Sequence, residues 1–261
     1  MTLLLHEWKR GLKTLLIWTV AISAFMMICV FLFPEMKGMM GDVGDIFSGM
    51  GAFTKAFGMD RLDFGSFRGY YGIECGNVLG IGGALFAALL GIGMLAKEEG
   101  NHTAEFLFAH PLSRTRAVAE KGLAVLLQIL VCNAVVFLLS AVSILAIGEP
   151  VFWKELILLH TAFLLLQIQL AGICFGISAL LHRNNAGIGL GLALAFYFLN
   201  LIANISDSAS FLKYLTPFAY TEASDILHDG SLQFGYIAPG MCFLLAGILL
   251  AFIAYRRKDL R

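Results

Sequence analysis

The sequence predicts an all-α, polytopic membrane protein with six transmembrane helices, on the strength of composition, hydropathy and the spacing of charges. Of 261 residues, 59% are hydrophobic and 14% charged, with a mean hydropathy of +0.83; soluble domains run at about 45–50% and about 25%. That leaves too little polar surface to cover a water-soluble globule, and the composition is not that of a disordered chain. The formal charge is zero, from 18 basic and 18 acidic residues, so the strongly basic footprint of a nucleic-acid binder is absent.

Six uncharged runs, Thr14–Pro34, Cys75–Ala96, Gly122–Gly148, Leu156–His182, Asn184–Ser206 and Gly230–Tyr255, define the spans. A helix rises 1.5 Å per residue, so even the shortest run covers roughly 31 Å, enough to cross a hydrocarbon core of about 30 Å. The spans are placed at 14–34, 72–96, 122–147, 156–181, 186–206 and 234–255. No connecting segment is long enough for a core of its own, so residues 1–261 read as a single transmembrane domain.

Ahead of the first span, Leu5, Trp8 and Leu12 share one helical face, which predicts an interfacial N-terminal helix anchored by Trp8. His6-Glu7 begins like the zinc motif HExxH, but position 10 is Arg, and no metal site is expected. The apolar run that follows is longer than a signal-peptide core and is read as a retained anchor. In the long loop after it, Ile46, Met50, Phe53 and Phe57 follow helical spacing and predict an amphipathic helix. Phe64, Phe67, Tyr70 and Tyr71 then read as an aromatic belt where the chain returns to the membrane.

Small residues recur every four positions in the second span (Gly72, Gly76, Gly80, Ala84, Ala88) and in the fifth (Gly187, Gly191, Ala195). That spacing lets helix backbones approach closely, within the chain first, with a second subunit as the alternative. Polar span residues include Gln128 and Asn133 in the third span, His160, Gln167 and Gln169 in the fourth, and Asn200 and Asn204 in the fifth. Interhelical hydrogen bonding is the simpler reading; for Gly76, Gly80, Asn133, Gln167, Asn200 and Asn204 a substrate path is the other. No Asp, Glu, Lys or Arg lies near a bilayer midplane, which disfavours a carrier with a central charge relay.

Orientation follows from Lys and Arg, which resist translocation. With the N-terminus inside, Lys9, Arg10, Lys13, Lys97, Arg114, Arg116, Lys121, Arg183, Arg256, Arg257, Lys258 and Arg261 are cytoplasmic, two thirds of the basic residues, while two thirds of the acids lie outside. Both termini are therefore expected in the cytoplasm. The five cysteines are odd in number, sit in or at the ends of spans and include no CxxC pair, so they form neither a disulfide framework nor a zinc site. GxxxxGK[ST] and GxSxG are absent, and Glu98-Glu99 is followed by Thr103 where an EExxxR protease motif needs Arg. No catalytic, cofactor-binding or metal-ligating residue is expected.

The loop at 97–121 carries the densest pattern. Glu98, Glu99 and Glu105 give it an acidic first half; Thr103, Phe106, Leu107 and His110 lie close together on a helix. Pro111 ends that helix, because the residue before proline is driven out of the α region, and Ser113 caps the next one. The whole, Glu98-Glu99-x-x-x-Thr103-x-Glu105-x-Leu107-x-x-x-Pro111-x-Ser113-Arg114 followed by Lys121, resembles the loop of the type-2 ATP-binding cassette (ABC) exporter permease family. The position after the second of six spans, the N-terminal interfacial helix and the segment Leu212–Tyr220, where that family folds short outer helices before span six, are similar too. Asn101-His102 departs from the pattern, where a Gly-Thr pair is more usual.

The resemblance implies a multi-pass permease of the cytoplasmic membrane that pairs with a separate cytoplasmic ABC ATPase in two copies, and with a second permease subunit, identical or paralogous. ATP and Mg would bind the ATPase, not this chain. The loop would be a cytoplasmic coupling helix, with Glu98, Glu99, Thr103, Glu105, Phe106, Leu107, Pro111, Ser113 and Arg114 at or near the ATPase contact, and the cargo a hydrophobic or amphipathic drug, peptide or lipid. A gradient-driven carrier or channel, or a membrane-embedded sensor or scaffold, are the alternatives.

Overall fold

The computed structural model describes residues 2–37, 51–59, 61–63, 65–101, 103 and 113–258. Helix α1 (Thr2–Lys37) is followed by the short α2 (Ala52–Ala56) and by α3 (Phe67–Gly93), a one-turn α4 (Lys97–Gly100), α5 (Arg114–Ala146), α6 (Trp153–Ser178) and α7 (Ala186–Ile205). Two 3-10 segments, Asp207–Tyr214 and Ala219–Thr221, lead through α8 (Ala223–Asp229) into α9 (Phe234–Arg257). The helices α1, α3, α5, α6, α7 and α9 are each long and apolar enough to cross a membrane, and no strand occurs among the described residues. With six crossings both termini lie at one end, here the terminal end; the Leu4 amide donates to Glu120 Oε2 at the base of α5 (3.0 Å).

The predicted interfacial helix is not a separate element. Helix α1 runs for 36 residues without a break, with Gly11 in its first third and Pro34 in its last turn; Gly11 costs about 1 kcal/mol relative to Ala. Glu7, 1% exposed, turns into the bundle, which ties this stretch to the other helices. The amphipathic helix expected from Ile46 to Phe57 lies partly outside the described residues; within them, Ala52–Ala56 is helical.

Lipid is as apolar as leucine, so helices in a bilayer associate through close packing and interhelical hydrogen bonds. Both are visible. α6 is central, with α3 and α9 against it; α1 packs on α5, and α7 on α3. Gly172 and Gly176 of α6 meet Gly247 of α9 backbone to backbone: a Cβ on Gly247 would stand 2.5 Å from the Gly172 carbonyl oxygen. In α3, Gly80 faces Phe163 of α6, whose ring would be 3.3 Å from an added Cβ. The fifth-span stripe behaves differently: Gly187, Gly191 and Ala195 are exposed, and the glycine of α7 that packs, against Ile92 and Ala88 of α3, is Gly189.

Phe67, Tyr70 and Tyr71 are buried, not a belt at the membrane surface. They form an internal cluster in which Phe33 lies 5.0 Å from Phe67 and Phe152 lies 5.5 Å from Tyr71. Phe64 lies outside the described residues. Tyr71 Oη also donates to Ser140 Oγ at 3.0 Å and lies 3.1 Å from His160 Nε2, so the cluster joins α3, α5 and α6. The same part of α3 widens into π turns at Tyr71–Cys75 and Val78–Gly82. Asn77 Nδ2 caps the Ile73 carbonyl there (2.7 Å), and such bulges recur at functional positions.

Candidate functional site

The terminal end carries a continuous charge network on which the loop at 97–121 is mounted. Lys121 of α5, fully buried, places Nζ 2.5 Å from Glu98 Oε1 and 3.1 Å from Glu7 Oε1, and donates to the Met94 carbonyl at 2.9 Å. Glu7 Oε2 accepts from Lys97. Two carboxylates and two ammoniums, Lys97 half-buried and the others buried, thus form a neutral quartet linking α1, α4 and α5, the condition under which buried charge is tolerated. Burial, and after it the Lys121 ammonium, pulls Lys97 below the usual lysine range even with Glu7 beside it.

The neighbouring carboxylate belongs to a second set. Glu99 Oε1 lies 2.7 Å from His182 Nδ1 in the α6–α7 loop, and Oε2 lies 2.6 Å from Lys258 Nζ after α9. Burial by itself raises the Glu99 carboxyl, but Lys258 and His182 outweigh it and hold it below the ordinary 4.5. Lys258 also donates to the Leu181 carbonyl, and Ser178 Oγ at the end of α6 accepts from the Leu95 (2.9 Å) and Ala96 (3.2 Å) amides. One turn of helix at 97–100 is therefore gripped by α1, α5, α9 and the end of α6.

Glu98 and Glu99, expected at an ATPase surface, are engaged within the chain. So is Arg114, whose Nη1 donates to the carbonyls of Arg256 (3.1 Å) and Lys258 (2.5 Å) past the end of α9. Ser113 caps α5, accepting from the Arg116 amide at 3.3 Å. The Thr103 amide donates to the Glu98 carbonyl (2.8 Å). Glu105, Phe106, Leu107 and Pro111 lie outside the described residues. Glu7, His182, Lys258 and Ser178 were missed by sequence reasoning. Their only signal was balance: Lys and Glu accumulate together at the ends of the spans.

Four of the polar span residues form two pairs, while His160 meets Tyr71, Gln169 meets Tyr220 and the Gln128 amide is unpaired. Asn133 Nδ2 donates to Gln167 Oε1 at 2.7 Å, with the reciprocal bond at 3.3 Å, joining α5 to α6. At the other end of the bundle Asn200 Nδ2 (2.5 Å) and Asn204 Nδ2 (2.7 Å) both donate to Glu222 Oε1. Burial raises the Glu222 carboxyl above 4.5, and the two amide donors oppose this only in part. Gly76, Gly80, Asn200 and Glu222 line a small cavity of about 50 Å³ between α3, α6 and α7.

Six membrane-length helices, with the turn at 97–100 held by ion pairs at the terminal end of the bundle, define a polytopic membrane protein. The family model described as ABC-2 family transporter protein matches residues 1–260. The chain belongs to that family, as a membrane permease subunit of an ABC transporter, and the family implies association with an ABC ATPase subunit. No curated protein matches the chain.

Proposed function

We propose that this permease serves an exporter that moves a hydrophobic or amphipathic substrate, a drug, peptide or lipid, across the cytoplasmic membrane. Both termini and the loop at 97–121 face the cytoplasm, where two copies of the ATPase dock, and a second permease, identical or paralogous, completes the pathway. Glu105, Phe106, Leu107 and Pro111 are the coupling residues that meet the ATPase. Glu98, Glu99, Thr103, Ser113 and Arg114 act behind it as its mounting. ATP and Mg bind the partner, and this chain hydrolyses nothing by itself.

The observation that carries this reading is the pair of ion clusters at the base of the loop. When the ATPase closes on ATP, force applied to the loop reaches α1 and α5 through Glu7, Glu98 and Lys121, and α9 and the α6–α7 loop through Glu99. Paired charges held at several points resist displacement, so a movement of the loop is passed to the helices that grip it. The test is reconstitution of the permease with its ATPase in vesicles. Glu99→Gln and Glu105→Arg are expected to leave ATP hydrolysis running while transport falls; full coupled transport in both overturns the reading. The permease purified alone is expected to show no ATPase activity.

A further inference from the structure

Between α1, α3, α5 and the α6–α7 loop, at the terminal end, lies a cavity of about 390 Å³ that the charge network leaves unfilled. Glu7 and Lys97 at its edge neutralise each other. Arg10 and Arg183, also on its wall, are exposed and make no ion pair or hydrogen bond among the described residues, so the cavity holds two uncompensated guanidiniums. Gln128 lines it from α5, fully buried, with neither Oε1 nor Nε2 hydrogen-bonded. A buried amide without partners bears the whole desolvation penalty of both its groups.

The wall is shaped as well as charged. Gly93 and Gly100 let the Arg183–Asn184 segment lie directly on the turn after α3: a Cβ at Gly93 would meet Asn184 at 3.0 Å, and one at Gly100 would meet the Arg183 Cα at 3.1 Å. Seven residues beyond Lys121, Gln128 sits about 10 Å deeper along α5. The cavity thus has a cationic mouth, an amide at mid-depth and an apolar edge at Leu89 and Leu90, and beside it α1 exposes Leu16 and Ile17.

The geometry points to a binding site for the phosphate of an anionic phospholipid headgroup. The phosphodiester seats between Arg10 and Arg183, which bind phosphate oxygens in bidentate fashion. Gln128 meets the glycerol ester oxygens, and the acyl chains run along the apolar face of α1. Basic pockets between spans at the membrane surface suit such headgroups, and the volume lies within the range of small-ligand sites. The site goes beyond the transport reading and does not depend on it.

The test uses the full chain in nonionic detergent, titrated separately with phosphatidylglycerol, phosphatidylcholine and inorganic phosphate, with affinity read from the shift in thermal midpoint. Phosphatidylglycerol is expected to raise the midpoint saturably, and phosphatidylcholine, whose choline cation offsets the same phosphodiester beside two arginines, to do so at least about tenfold more weakly. Arg10→Gln and Arg183→Gln should each weaken the phosphatidylglycerol response about tenfold; Arg183→Lys should keep the preference, and Lys13→Gln, outside the cavity, should match the wild type. Neither arginine has a partner among the described residues, so lipid-free midpoints should equal the wild type's, and that equality separates lost binding from lost folding. Equal responses to the two lipids, or arginine variants that titrate like the wild type, overturn the proposal. A response to inorganic phosphate of the same affinity and arginine dependence overturns the lipid assignment and leaves a free-phosphate site.

Discussion

Lys121 Nζ lies 2.5 Å from Glu98 Oε1 in a fully buried position, and the same ammonium reaches Glu7 on α1 at 3.1 Å. A single lysine at the root of α5 therefore holds the segment leading into the loop and the start of the first helix at once.

Removing that ammonium strands Glu98 in a site built around it and leaves Glu7 with Lys97 alone. Lys121→Met is expected to cost about 3–5 kcal/mol, the usual penalty for breaking a buried pair from one side. Adding Glu98→Gln should recover part of the loss, because the pair is coupled. Thermal unfolding of the three variants in detergent decides: strictly additive losses would mean that the contact contributes nothing of its own.

Glu99 sets an acid limit on stability. Its carboxyl is held below 4.5 in the folded chain, so the unfolded chain binds the proton more tightly and the ion pairs contribute fully above pH 4.5. That contribution is lost as pH falls below 4.5 and through the folded value. Glu99→Gln should lower the midpoint at pH 7, with the wild type converging on the variant under acid; a constant gap down to pH 3 would contradict the pairing with Lys258 and His182.

Glu222 has the opposite sign. Burial raises its carboxyl above 4.5, so the folded chain holds the proton more tightly and the contribution of this residue declines as pH rises through 4.5, levelling off above the folded value. Glu222→Gln keeps an acceptor for Asn200 and Asn204 without a charge, and its midpoint at pH 8 is expected to equal or exceed the wild type's. Glu222→Ala, which leaves two amides unpaired, should cost about 1–3 kcal/mol.

The glycines of α6, α7 and α9 make a paired prediction. Gly247→Leu forces a side chain to within 2.5 Å of the Gly172 carbonyl oxygen and should separate α9 from α6, with a loss of several degrees in midpoint and faster proteolysis of the C-terminal helix. A Cβ at Gly191 would meet nothing within 4 Å, so Gly191→Leu should leave the isolated chain as stable as before, or slightly more so given the better helix propensity. A midpoint for Gly191→Leu as low as that for Gly247→Leu would contradict the exposed placement of that face.

Much of the architecture was legible because it is local. Whether a run of about twenty residues crosses a bilayer depends on its own length and polarity, and Ser113 caps α5 because of its place ahead of a helical run. The N-terminal segment is continuous with the first span for a reason that is also physical: Leu5, Trp8 and Leu12 describe an amphipathic face, but Glu7, on the other side, finds Lys121 more than a hundred residues away and ties the segment to the bundle. Phe67, Tyr70 and Tyr71 have the composition of an interfacial belt, and only the approach of Phe33 and Phe152 shows them to be interior. For Glu98 and Glu99, the sequence says that two acids precede a charged loop and nothing about where their partners stand.

The sequence by itself determined the six crossings, the excess of basic residues at the terminal end and the resemblance that family membership bears out, since each is a property of contiguous residues. The tertiary structure decided which charges neutralise which, which glycines touch, and which two arginines are left over beside a buried amide. Those depend on the rotation and axial register of each helix, set by backbone contacts such as Gly172 with Gly247 and by the quartet around Lys121, and neither is encoded in any one segment.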